Sequence, residues 1–195
     1  MDSVTGNQED LLKLAELHPE LAAYLQAHPL PAPPSDLVGL RAVYEKINQR
    51  AVSVLTADFK LDADAVTIKN QTVTARDGYE IPIRIYHPSS SINPGPLIVN
   101  IHGGAKIMGT LTDEDAHCRI FAEKFNATCI NIEYRLAPEH KTPVMVYDCW
   151  DVVSWAAENA GELGADPKKG FYRARFVSRS SDGGHHGPLL EGREA

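Results

Sequence analysis

The sequence predicts an α/β fold, a layered sheet with parallel central strands. Two short, mostly apolar runs, Leu97-Ile98-Val99-Asn100-Ile101 and Ala127-Thr128-Cys129-Ile130-Asn131-Ile132, read as strands buried on both faces. Each leads into a helical pattern, over 113–125 and 144–159, which makes a strand–helix–strand–helix unit. A hairpin precedes this unit, with Asp77-Gly78 at its turn.

In chain order, residues 8–28 are helical, because Leu11, Leu14, Ala15, Leu21, Ala22 and Leu25 recur near helical spacing. Pro19 splits that stretch, since proline sits best in the first turn of a new helix. His28-Pro29-Leu30-Pro31-Ala32-Pro33-Pro34 is a stiff linker. Ser35 is predicted to cap the next helix, with Leu37, Leu40, Val43, Tyr44 and Ile47 on one face. Residues 1–62 thus form a helical arm whose apolar stripes need the following body as a partner. Val66, Ile68 and Val73 then open a β-rich stretch. Ile81, Ile83 and Ile85 alternate with Pro82, Arg84 and Tyr86, and Pro82 places this strand near a sheet edge. Ala116, Ile120 and Phe121 should face inward from 113–125. On 144–159, Val146, Trp150, Val153 and Ala157 share the face predicted to pack. Lys168-Lys169-Gly170 leads into a further strand, of which Phe171 to Val177 is only half apolar. The core then spans 63–184, and 185–195 reads as a frayed, disordered tail. No internal repeat is present.

The chain has 195 residues and a net charge of −7, which excludes a broad basic face for nucleic acid and docking on an anionic membrane. No apolar run approaches the roughly 18 residues of a membrane span. The first residues carry neither a basic start nor an apolar signal core, so the sequence predicts a cytoplasmic protein. Cys118, Cys129 and Cys149, odd in number and widely spaced, read as buried thiols. Asn70-Gln71-Thr72 and Asn126-Ala127-Thr128 match the glycosylation sequon by chance on that reading. No Gly-x-Gly-x-x-Gly follows a strand, which argues against a dinucleotide cofactor. His185-His186 lacks spaced Cys or acidic partners, so neither cofactor nor metal is expected.

His102-Gly103-Gly104-Ala105 directly follows the first buried strand. Two glycines there allow a sharp turn and leave N–H groups pointing above the sheet, where they could stabilise an oxyanion. A plain strand-to-loop turn is the alternative. Beyond the next strand stands Glu133-Tyr134-Arg135-Leu136-Ala137-Pro138-Glu139-His140. Together the two motifs resemble the hormone-sensitive-lipase-like carboxylesterases of the α/β-hydrolase fold, which carry His-Gly-Gly-Gly and Tyr-Arg-Leu-Ala-Pro-Glu in that order. The resemblance covers about Val66 to Gly184, including Tyr147-Asp148, Trp155 and Gly164-Ala165-Asp166-Pro167.

The resemblance implies a truncated α/β-hydrolase sheet and serine chemistry on a small-molecule carboxylic ester. It places Gly103, Gly104 and Ala105 at the oxyanion hole and makes His102 a loop-supporting residue. Ala105 replaces the third glycine, and a positive φ there would be costly. Lys106 stands where the family has an apolar or small residue. Tyr134, Arg135 and Glu139 are expected to tie their loop to the body.

No Gly-x-Ser-x-Gly elbow exists in the chain. Arg179-Ser180-Ser181-Asp182-Gly183 comes nearest, which makes Ser181 the nucleophile candidate by resemblance. Arg179 crowds the turn, and Asp182 puts a carboxylate beside the developing negative charge. The acid and base of a triad are absent after Ser181, since His185 and His186 follow too closely. The expectation is therefore a carboxylesterase-like chain without efficient turnover. The alternative is a non-catalytic α/β binding module that associates, perhaps with itself, through an open sheet edge beside the glycine-loop strand.

Overall fold

The computed structural model describes residues 17–29, 32–90 and 93–175. The chain divides into two compact units, residues 1–35 and 36–195. The first contains helix α1 (Pro19–Ala27), with its proline at the start as predicted. The ring of His28 stacks on Tyr24 at its C-terminal end, with centroids 4.4 Å apart. Leu11, Leu14 and Ala15 lie outside the described residues.

Helix α2 (Leu37–Asp58) opens the second unit, so this helix, read from sequence as arm, groups with the body. Its cap is Asp36 rather than Ser35. The Asp36 carboxylate accepts from the Gly39 N–H at 2.8 Å, and its negative charge suits a helix N-terminus. The inward stripe also differs from the expected one. Leu37, Arg41, Tyr44, Asn48, Val52 and Leu55 are half-buried, while Val43 and Ile47 are exposed. An apolar count overlooks Arg41 and Asn48, which turn inward with the stripe.

Five strands form one sheet in the order β1-β2-β4-β3-β5. They are β1 (Val66–Thr74), β2 (Glu80–Pro88), β3 (Leu97–Ile101), β4 (Thr128–Ile132) and β5 (Phe171–Arg175). The hairpin strands β1 and β2 are antiparallel, β2 runs antiparallel to β4, and β3 lies parallel to both β4 and β5. Strand β2, which carries Pro82, is second from the sheet edge, next to the edge strand β1, in keeping with the position near an edge that the proline predicts. The β2–β4 ladder begins at Ile83, and the Pro82 carbonyl accepts from Glu133 N–H at 2.9 Å just beyond it. Within a strand a residue's N and C=O point to the same side. The missing N–H thus falls past the end of the ladder, where it costs no strand pairing. Strand β5 pairs β3 over its whole length, from Leu97 opposite Phe171 to Ile101 opposite Arg175. The expected open edge beside β3 is consequently filled.

Helices α3 (Asp115–Phe125) and α4 (Val144–Glu158) supply the two layers. On one face, Cys118 and Ala122 of α3 pack on Tyr86, Ile98 and Cys129, with Phe121 at the margin. On the other, Met145, Cys149, Val152 and Ala156 of α4 pack on Ile83, Val99, Ile101, Ile130 and Ile132. Each buried Ile or Val contributes roughly 1.5–3 kcal/mol by leaving water. The predicted packing face of α4 is corrected: Val146 and Trp150 are 51% and 61% exposed, Ala157 is exposed, and Val153 sits at the margin. Both sides of this helix are apolar, so periodicity cannot choose between them. Small residues at 149 and 156 allow close approach to the sheet, and Asp148 beside them has an internal partner. All three cysteines are buried, and none forms a disulfide among the described residues. Among the described residues, no helix is long and apolar enough to cross a membrane.

Candidate active site

The C-terminal end of β3 delivers the chain into His102, which is 2% exposed. Its ring stacks on Tyr134, with centroids 4.2 Å apart and planes within 12° of parallel. The Tyr134 hydroxyl donates back to the His102 carbonyl at 2.9 Å. His102 Nδ1 lies 2.8 Å from the Gly103 carbonyl, and a carbonyl only accepts, so Nδ1 carries the proton. Nε2 is then an acceptor, buried without a hydrogen-bond partner among the described residues. Burial pushes the His102 pKa down and keeps the ring neutral, an effect partly offset by the Gly103 bond and by Asp113 and Glu114.

The next residues adopt a costly backbone. Gly104 has φ +111°, Ala105 +54°, Lys106 +69° and Gly109 +115°. Two of these are L-residues in the left-handed region, at about 1–2 kcal/mol each. The two glycines are required for space as well. A Cβ at Gly104 would sit 2.2 Å from the Met108 carbonyl oxygen, and one at Gly109 would sit 2.1 Å from His102 Nδ1. The Ile107 and Met108 N–H groups both donate to the Gly104 carbonyl, at 3.1 and 2.9 Å. Among the described residues, the N–H groups of Gly104 and Ala105 have no acceptor in the chain.

The Glu133–His140 segment leaves β4 beside this loop, and the Ala137 N–H donates to the Lys106 carbonyl at 3.0 Å. Arg135 grips Asp148, which is fully buried, through Nη2–Oδ1 at 2.6 Å and Nε–Oδ2 at 3.0 Å. The Arg135 backbone N–H adds a third bond to that carboxylate at 3.0 Å. Arg135 also pairs with Asp77 at 2.8 Å and lies over the Tyr79 ring. Its guanidinium holds the Asp77 carboxyl below the usual range. Glu139 forms a two-pronged pair with Arg41 of α2, at 2.7 and 2.8 Å, and this lowers its pKa to about 2. Behind the loops, Asn100 donates to Asn131 and Asn131 to the Leu111 carbonyl, at 2.9 and 2.8 Å.

Beside the glycine loop, Ile101, Lys106, Met145, Val146, Cys149, Trp150 and Val153 line a groove of about 160 Å³. Among the described residues of that lining, Lys106 is the one charge.

The structure thus brings together His102, Gly103, Gly104 and Ala105, and it sets the Tyr134, Arg135 and Glu139 segment against them. Ser181, Arg179, Asp182, His185 and His186 lie outside the described residues, as does the expected tail. Sequence reasoning missed Arg41, whose partners stand 66 to 98 residues away and leave no local pattern. It named Asp148 without a role. Its burial could not be foreseen, because the sequence does not tell which face of α4 turns inward.

A model of the alpha/beta hydrolase fold family matches residues 98–172. An arylesterase of Saccharolobus solfataricus is 41% identical over 126 residues, covering 65% of this chain and 40% of that protein. An AB hydrolase superfamily protein of Schizosaccharomyces pombe is 33% identical over 181 residues, covering 91% of this chain and 51% of that one. Among solved structures, vibralactone cyclase superposes with a TM-score of 0.71 at 31% identity, over 81% of this chain and 47% of its own. A bacterial heroin esterase gives 0.68 at 32% identity, over 84% and 49%. The chain spans about half the length of these relatives, or less.

Proposed function

Because this chain belongs to the hormone-sensitive-lipase-like group of α/β-hydrolases, we propose that it carries the oxyanion-loop portion of a serine carboxylesterase acting on small-molecule esters. The observation that carries this reading is the strained loop after β3, with the Gly104 and Ala105 N–H groups left without acceptors among the described residues. Gly103, Gly104 and Ala105 are the donors to the negative oxygen of the tetrahedral intermediate. Fixed donors cost no reorganisation when charge develops, and the bonds that hold this loop are already made in the resting protein. His102 supports the loop as a neutral, buried ring and takes no proton from substrate. The apolar groove beside Lys106 receives the acyl or alcohol portion of the ester.

Ser181 is the nucleophile candidate by resemblance. With Arg179 crowding the elbow turn and Asp182 placing a carboxylate beside the developing charge, the proposal includes inefficient turnover by this chain. Hydrolysis of a short-chain nitrophenyl ester should be weak, at the level that oxyanion donors and binding alone support. Fast turnover that vanishes in Ser181→Ala would overturn the inefficiency. Failure of any organophosphonate to label the folded chain, together with no turnover, would overturn the hydrolase reading.

The exposed Val146 and Trp150 face of α4 favours a second reading, an α/β binding module. Sedimentation velocity separates the two: a dimer dissolved by Trp150→Lys supports the module, and a monomer at all concentrations sinks it as a self-associating one.

A further inference from the structure

We infer that Arg41 is a positioning residue that makes the glycine loop's conformation depend on the seating of helix α2. Its guanidinium reaches both loops at once. Nε donates to the Ile107 carbonyl at 2.7 Å, and Nη2 donates to the Ala137 carbonyl at 3.2 Å. Nη1 and Nη2 take the two carboxylate oxygens of Glu139 at 2.7 and 2.8 Å. Ile107 follows directly on Ala105 and Lys106, the two L-residues held at positive φ. Strain of this kind persists only where surrounding bonds over-determine it. The Ala137 N–H already bonds the Lys106 carbonyl, so the two loops are joined to each other, and Arg41 fastens the pair to a third element. A planar fork with five donors suits this task, whereas an ammonium is a point charge on a flexible stem.

The role in hydrolysis rests on the oxyanion reading above. If α2 lifts, Arg41 withdraws from Ile107, and Ala105 and Lys106 can relax toward negative φ. The Ala105 N–H then no longer points where charge develops.

Hydrogen exchange of the full chain, followed by peptide mass, tests the coupling without requiring ester turnover. In Arg41→Gln, exchange across 105–109 and 137–140 should rise about tenfold or more, with strands β3 and β4 unchanged. In Arg41→Lys, protection should return to 137–140 through the ion pair with Glu139 but stay lost at 105–109. Glu139→Gln, which keeps Arg41 and its carbonyl bonds, should loosen 137–140 more than 105–109. Exchange in Arg41→Gln within twofold of the unsubstituted chain would overturn the inference. So would a parallel rise throughout the sheet, or full recovery of both segments in Arg41→Lys. Loss of the hydrolase reading itself would show separately, as absent labelling and turnover in the unsubstituted chain, and would leave the exchange pattern standing.

Discussion

Ala105 holds a conformation, φ +54°, that its own Cβ opposes by about 1–2 kcal/mol. Glycine would remove that cost but adds about 0.4–1 kcal/mol of chain entropy in the unfolded state. The first figure is larger, so Ala105→Gly is expected to stabilise the protein by up to about 1 kcal/mol, read from a shifted urea midpoint at constant slope. Gly109 is the opposite case. A methyl there meets the His102 ring at 2.1 Å and sits on a backbone at φ +115°, so Gly109→Ala should cost about 2 kcal/mol or more. Asp148 belongs to the same scale. Its carboxylate is fully buried and satisfies Arg135 twice over, and Asp148→Ala should cost about 3–5 kcal/mol because the guanidinium loses its buried partner and keeps only Asp77, which is half exposed. Thermal unfolding of that variant within about 1 kcal/mol of the parent would show that water replaces the carboxylate.

The elements differ in how far the sequence announced them. Strands β3 and β4 could be read directly, because a run such as Leu97 to Ile101 has few other homes. The hairpin followed from Asp77-Gly78 and the alternation around Ile83. The orientation of α4 was not legible, since Val146, Trp150 and Val153 satisfy the same periodicity as Met145, Cys149 and Val152. The decision came from groups distant in sequence: the sheet face it covers and the Arg135 that binds Asp148. Pro82 placed its strand near an edge, but that it falls where the β4 ladder stops depends on a distant strand and was not legible. The glycine loop was visible as a motif, whereas the bonds of Arg41 to it were not. A consequence for α4 can be checked. Trp150→Lys should alter stability by less than about 0.5 kcal/mol, as for other exposed positions, while Val152→Ala in the core should cost about 1–3 kcal/mol.

Across the whole molecule, acid should weaken the fold in two windows. His102 and His87 have pKa values lowered by burial. The unfolded chain therefore binds protons first, and stability falls as pH drops below about 6.5 toward their folded values. Asp77, Glu139 and Asp151 are held low by Arg135, Arg41 and Arg76. Their stabilisation is present above the ordinary carboxylate range and is lost as pH falls from about 4 toward 2. A thermal midpoint recorded against pH should show both declines, and His102→Asn should flatten the upper one. A midpoint constant from pH 7 to 4.5 would mean that the histidines titrate alike in both states.

The Arg41 fork joins stretches of chain 66 and 98 residues apart. Closing such spans is slow relative to local structure, so the contacts come late in folding. A ribosome-bound chain that has not yet exposed Glu139 can hold the β1–β2 hairpin and β3 but cannot seal the segment after them. During synthesis the strained turn thus acquires its shape later than the hairpin before it, and it stays open to proteases and chaperones for longer than that hairpin.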